Sequence, residues 1–230
     1  MKKIFIYVFL LIASAGFSQA LSSDEIIQKY ISAIGGTDEL KKMKQITMYG
    51  KAESGGNIYE ITAYEDRVEN YQFAVVSGTG YEVRTYFDLK GGWLMQNGVK
   101  QDIDQATYQK VKMTVEDGTY FYLADMESSG VKTELLGEEN IDGMETYKVK
   151  LTRNGENKSI QYFDKKTFYL IRLLSTATGP EIIVNYSDYK SVPGTGLVLP
   201  YKMTKGGINS VIDKYEINVP LDPSRLILDK

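Results

Sequence analysis

The chain has 230 residues, with 27 lysines and arginines against 30 aspartates and glutamates and neither histidine nor cysteine. A formal charge of −3 provides no basic footprint for nucleic acid and no polybasic patch for an anionic membrane. Without histidine or cysteine there is no Ser-His-Asp triad, thiol nucleophile, His-ligated zinc or disulfide; carboxylate-only or Ser-Lys chemistry and oxygen-ligand calcium sites stay open as the lesser alternatives, and we expect a non-enzymatic protein with no cofactor.

Lys2 and Lys3 precede an uncharged apolar stretch from Ile4 to Phe17, and Ser18 and Ala20 stand at positions −3 and −1 of a cleavage point. Residues 1–20 read as a signal peptide cut after Ala20. Residues 21–230 read as one exported domain, periplasmic or secreted. A spanning helix needs ~20 consecutive apolar residues, which neither this stretch nor any later one supplies, so the expected protein is not membrane-spanning. Two lysines and no acid leave with the signal peptide, moving the formal charge from −3 to −5.

Ser22 and Glu25 fit a capping box, and Ile26, Ile27, Tyr30, Ile31 and Ile34 recur at helical spacing behind it. Gly35-Gly36 ends this helix and Thr37 can cap a second one carrying Leu40 and Met43. From Gln45 the period becomes two. Strands through Ile46–Ala52, Tyr59–Ala63, Tyr71–Val75, Tyr81–Phe87 and Trp93–Met95 are separated by turn residues, among them Ser54-Gly55-Gly56 and Asn97-Gly98. Such a meander predicts a curved antiparallel sheet or barrel. Residues 104–127 break the pattern: Asp104 can cap a helix through Val111 and Met113, and an aromatic piece with Tyr120 and Leu123 follows. Strands resume at Val131. Gly137–Gly143 reads as a polar connection, Asn154-Gly155 as a hairpin turn, and Phe168–Leu174 as a strand buried on both faces. Strands about Ile182–Tyr186, Leu199–Met203 and Val211–Val219 close the chain before Pro220 and Pro223.

Several segments carry a resemblance: Tyr30-Ile31-Ser32-Ala33-Ile34-Gly35-Gly36 near the start, then Gln161-Tyr162-Phe163-Asp164, Leu170-Ile171-Arg172, Asp188-Tyr189-Lys190 and Leu199-Pro200. Together they resemble the LolA-like family of periplasmic lipoprotein carriers and their relatives, best over residues 144–222. The resemblance implies an unclosed antiparallel β-barrel, or half-barrel, with an N-terminal helix and a helical lid. It also implies a lipid, lipoprotein or other apolar ligand held on the concave face of the sheet.

Candidate cavity-lining residues are the alternating apolar positions Met48, Tyr59, Ile61, Phe73, Val83, Trp93, Met95, Val149 and Val184, with Val111, Met113, Tyr120 and Leu123 as lid. The alternative is that they fill one another, leaving a non-enzymatic scaffold that docks on an outer-membrane or envelope protein. The abundant tyrosine would also suit a carbohydrate platform, though tyrosine is common in half-exposed strands without any ligand. The acidic pairs Asp102 with Asp104, Glu116 with Asp117 and Glu138 with Glu139 lack EF-hand spacing and read as solvated loops, so no metal is expected.

Overall fold

The computed structural model describes residues 21–117, 120–126, 128–153, 156–175 and 181–221. The signal-peptide reading of residues 1–20, the Asn154-Gly155 turn and the side chain of Met113 lie outside the described residues.

Helix α1 (Ser23–Ala33) begins as its capping box dictates. The Glu25 N–H donates to the Ser22 hydroxyl at 3.2 Å and the Ser22 N–H donates to the Glu25 carboxylate at 2.8 Å, which satisfies two otherwise free donors. Gly35, at φ 123°, ends the turn where a Cβ would stand 2.6 Å from the Gly196 carbonyl oxygen, so only glycine permits this approach. Helix α2 (Thr37–Lys42) follows.

A meander then runs through β1 (Gln45–Ser54), β2 (Asn57–Asp66), β3 (Tyr71–Gly78), β4 (Tyr81–Asp88), β5 (Gly92–Gln96) and β6 (Val99–Asp102). Asp104 caps α3 (Gln105–Asp117), accepting from the Thr107 N–H at 2.9 Å, and the short α4 (Phe121–Ala124) comes next. The second meander is β7 (Val131–Ile141), β8 (Met144–Arg153), β9 (Glu156–Asp164), β10 (Leu170–Ser175), β11 (Ile182–Ser191), β12 (Val198–Lys205) and β13 (Ile208–Ile217). The expected connection at Gly137–Gly143 is instead mostly strand: β7 continues past a bulge between Leu135 and Gly137, and only Asp142-Gly143 turns. Phe168 stands outside β10, at φ 60°, with its ring stacked on Tyr147.

Among the described residues all thirteen strands form one sheet, ordered β6-β5-β4-β3-β2-β1-β13-β12-β11-β10-β9-β8-β7, with antiparallel neighbours and unjoined edges. It is an unclosed half-barrel. The two meanders are sewn together at β1 and β13, and the segment carrying α3 and α4 passes from one edge to the other. A bulge at the seam pairs Tyr49 with Lys214 but Gly50 with Ile212, adding twist to the centre of the sheet. A Cβ on Gly50 would lie 2.3 Å from the Val211 carbonyl oxygen, so this close approach needs glycine.

Helices α1, α2 and α4 lie on one face of the sheet. Ile26, Ile27, Tyr30, Ile31, Leu40, Phe121 and Leu123 form a single core there with Val149, Leu151, Phe163, Leu199 and Ile212 of the strands. Two smaller clusters cover the other face: Tyr64, Phe73 and Leu221 with Tyr71, Tyr86 and Trp93, and Ile141 with Tyr162 and Ile171. β10 contributes Leu170 to the main core and Ile171 to the far cluster, so it is buried on both sides as expected.

Candidate functional site

Directly opposed residues in adjacent strands point to the same face. One row therefore crosses the helix-bearing side through Val83, Val76, Ile61, Gly50 and Ile212, and a second through Leu94, Thr85, Ala74, Ala63, Met48 and Tyr215. A third runs from Tyr59 through Ala52, Ser210 and Met203 to Tyr186. Val149, Gln161, Leu173 and Val184 share this face further along the sheet.

Of the nine expected lining residues, Met48, Tyr59, Ile61, Val83, Val149 and Val184 thus lie on the helix side. Phe73, Trp93 and Met95 do not: Phe73 opposes Tyr64 and Tyr86, Trp93 opposes Tyr86, and Met95 opposes Arg84, all on the other face. There Tyr86 stacks on both Tyr71 and Trp93, at ring separations of 5.6 and 5.8 Å. The misplacement has a physical reason. In β3, Phe73 and Val75 alternate with Ala74 and Val76, so both faces are apolar, and it is the smaller pair that faces the helices.

The helix side has two halves. Over β8–β13 it is more tightly packed but not closed: Val149 and Leu151 are wholly enclosed, Tyr120 and Leu123 of the expected lid are core residues packed among them, and Leu173, Val184, Tyr186 and Met203 are half buried. Over β2–β5, by contrast, Ile61, Ala63, Ala74, Val76, Val83, Thr85 and Leu94 are all only half buried. Small side chains crowd this region: Gly50, Ala52, Ala63, Ala74 and Ser210 occupy the three rows. Helix α3 borders it, contacting β4 and fixed by the Tyr108 hydroxyl, which donates to the Asp88 carbonyl at 2.8 Å. Val111 of α3 is half buried.

A group of tyrosines lies in this more tightly packed half. Burial drives the phenols of Tyr30, Tyr120, Tyr186, Tyr189 and Tyr215 well above their ordinary pKa, with the proximity of other tyrosines adding to it. Tyr30 and Tyr189 hydrogen-bond each other, and the Tyr189 hydroxyl donates to the Leu170 carbonyl at 2.7 Å. Tyr120 bonds to Tyr215, which donates to the Pro200 carbonyl at 2.6 Å. Tyr186 and Tyr189 keep some accessible surface although burial dominates the shift of both phenols.

Polar side chains on this face escape the sequence reading. Gln161 is 1% exposed and Ser159 6%. The Gln161 Nε2 donates to the Tyr122 hydroxyl at 3.2 Å and to the Ser159 hydroxyl at 3.3 Å, while its Oε1 has no partner. The available signal was the alternation of Ser159, Gln161 and Phe163 with Ile160 and Tyr162, which looks inward-facing on the apolar pair. The structure turns the Gln161 set inward.

No group of three or more Asp, Glu, His or Cys that could hold a metal occurs among the described residues. Glu138 pairs instead with Lys165 at 2.8 Å and Glu139 with Lys148 at 2.9 Å. No helix among the described residues is long and apolar enough to cross a membrane.

No family model matches the chain, and no curated protein matches it. Solved structures do. A DUF1329 family protein from Desulfovibrio piger is 13% identical, with a TM-score of 0.55 over 90% of this chain and 98% of the other. A LolA superfamily protein from Nitrosomonas europaea is also 13% identical, with a TM-score of 0.52 over 89% and 97%. An outer membrane lipoprotein-sorting protein domain from Vibrio parahaemolyticus is 10% identical, with a TM-score of 0.50 over 87% and 94%. The fold is LolA-like.

Proposed function

We propose that this LolA-like chain is an exported, non-enzymatic carrier or binding protein, periplasmic or secreted, for an acyl chain, lipoprotein or other apolar ligand. The single observation that carries this reading is the run of half-buried aliphatic side chains over β2–β4, where Val76 and Val83 lie outside the helix-packed core. The solved lipoprotein-sorting domain of similar fold supports the same class of cargo.

The physical basis is simple. Small residues in these rows leave the aliphatic side chains around them partly exposed, and that apolar surface gains by exchanging water for hydrocarbon. Each buried methylene is worth ~0.8 kcal/mol, so a twelve-carbon chain supplies on the order of 10 kcal/mol before binding costs. Met48 can adapt its thioether to chains of differing shape. Met48, Tyr59, Ile61 and Val83 are the proposed contacts. Val184 shares their face at a greater distance, and Val149 serves as core.

The test is retention of ligand by native mass spectrometry, using protein lacking residues 1–20 and a fatty acid, a lysolipid and a lipopeptide as probes. We expect saturable one-to-one binding of at least one probe, weakened about tenfold or more by Val83→Phe, which fills the row. Retention of none of the three overturns the reading. Trp93 emission is a poor reporter, because its ring lies on the far face against Tyr86.

The tight packing around Val149, Leu151 and Phe163 favours one alternative, a filled scaffold that docks on an envelope protein. It predicts a captured partner in crosslinking and no response to Val83→Phe.

A further inference from the structure

The deepest polar group of the concave face is the Gln161 carboxamide. It lies in register between the apolar side chains of Val149 and Leu173. A carboxamide offers two donors and an acceptor with two lone pairs. Its nitrogen reaches Tyr122 and Ser159, but its carbonyl oxygen is buried without a partner, an arrangement that ordinarily costs more than a hydrogen bond is worth.

The surroundings add a second desolvated group. The Tyr122 hydroxyl that accepts from Gln161 lies near enough to the hydroxyls of Tyr30 and Tyr186 to perturb their ionisation. The Tyr186 hydroxyl makes no hydrogen bond among the described residues. Its side chain retains accessible surface although protein surrounds it, and it closes the row that begins at Tyr59. Polar groups without partners therefore stand on β9 and β11, on the same face of the sheet as the proposed ligand contacts of β1, β2 and β4.

We propose that Gln161, with Ser159 and Tyr122 holding its carboxamide, recognises a hydroxyl group on the acyl chain of the ligand. This rests on the acyl-binding reading above and narrows it to hydroxylated chains. The chemistry favours a hydroxyl over a carboxylate or an ammonium. No charged side chain is among the partners of this carboxamide to neutralise an ion, and an unpaired charge is far costlier to bury than a neutral group. A hydroxyl both donates and accepts, so it completes the carboxamide whichever way the amide is turned. Tyr122 sits on the four-residue α4, which the ion pair of Arg67 with Asp125 ties to the β2–β3 turn.

The experiment offers tetradecanoic acid in competition with its 3-hydroxy and 12-hydroxy forms, with retained species quantified by native mass spectrometry. The intact protein should retain one hydroxylated form about tenfold over the plain chain, the ratio a satisfied buried hydrogen bond gives. Gln161→Leu, which keeps the volume and removes the orphaned oxygen, should bring that ratio to one. Tyr122→Phe should lower the ratio in part and controls for any folding defect of the first variant, with thermal melting of both recorded. Equal retention of all three chains by the intact protein, or a ratio that survives Gln161→Leu, overturns the assignment and leaves the carrier reading standing. Retention of no chain at all overturns both.

Discussion

Raising the pH should unfold this protein steeply, because five tyrosines are buried with their protons on. In Tyr30, Tyr120, Tyr186, Tyr189 and Tyr215, burial raises the folded-state pKa above the ordinary tyrosine value of about 10. Above that pH the unfolded chain releases these protons while the folded chain keeps them, so the stabilisation present at lower pH is lost as pH rises. Each group contributes a slope of about 1.4 kcal/mol per pH unit, and five contribute about 7 kcal/mol per pH unit. A domain holds roughly 5–15 kcal/mol in total, so the folded state should collapse between about pH 11 and 12. The assay follows phenolate absorbance at 295 nm and far-ultraviolet circular dichroism on the same samples. The five phenols should stay silent until the dichroism falls, then ionise together with it. Ionisation of every tyrosine near pH 10 with unchanged dichroism would refute the buried cluster.

Asp66 should matter at the acid end. Burial opposes its ionisation, but the Glu69 N–H, Gln45, Tyr64 and the Val68 N–H all donate to it and hold its carboxyl below the usual range. The stability it adds is therefore present above the unfolded carboxylate pKa and is lost as pH falls through the folded one. Asp66→Asn should cost about 2–4 kcal/mol in urea unfolding at neutral pH and flatten the acid limb of the stability profile. Gly50→Ala puts a methyl against the Val211 backbone carbonyl at the seam, which cannot swing aside as a side chain would. It should cost about 1–3 kcal/mol, read as a lowered melting temperature, whereas Gly91→Ala, where a Cβ meets open space and φ is not left-handed, should cost less.

Much of the architecture was legible in the residues. The Ser22–Glu25 capping box, the Ser54-Gly55-Gly56 and Asn97-Gly98 turns, and the Asp104 cap all announce local structure through short-range chemistry, and each is found where expected. The antiparallel meander and the open curved sheet follow from them. What was not legible is which face of a strand looks inward. Period-two alternation separates two sets of side chains but does not label them when both are apolar. β3 and β5 offered Phe73, Trp93 and Met95 on one side and Ala74, Val76 and Leu94 on the other. Choosing the larger set placed three candidates on the wrong face, because a concave surface leaves room for less bulk. β9 misleads in the same way: Ile160 and Tyr162 are the greasier set, yet Ser159, Gln161 and Phe163 face the core. The strand pairing at the Gly50 bulge, which fixes these choices across the sheet, depends on contacts between residues about 160 positions apart.

The most direct measurement is covalent mapping of a bound chain. A fatty acid carrying a photoreactive diazirine near its tail is irradiated on the protein, and the labelled residues are identified by mass spectrometry. Binding on the concave face predicts label on Ile61, Val76 and Val83 and on the adjoining Met48. Label concentrated on Tyr71, Phe73 and Trp93, or no covalent adduct at any ligand concentration, would contradict it.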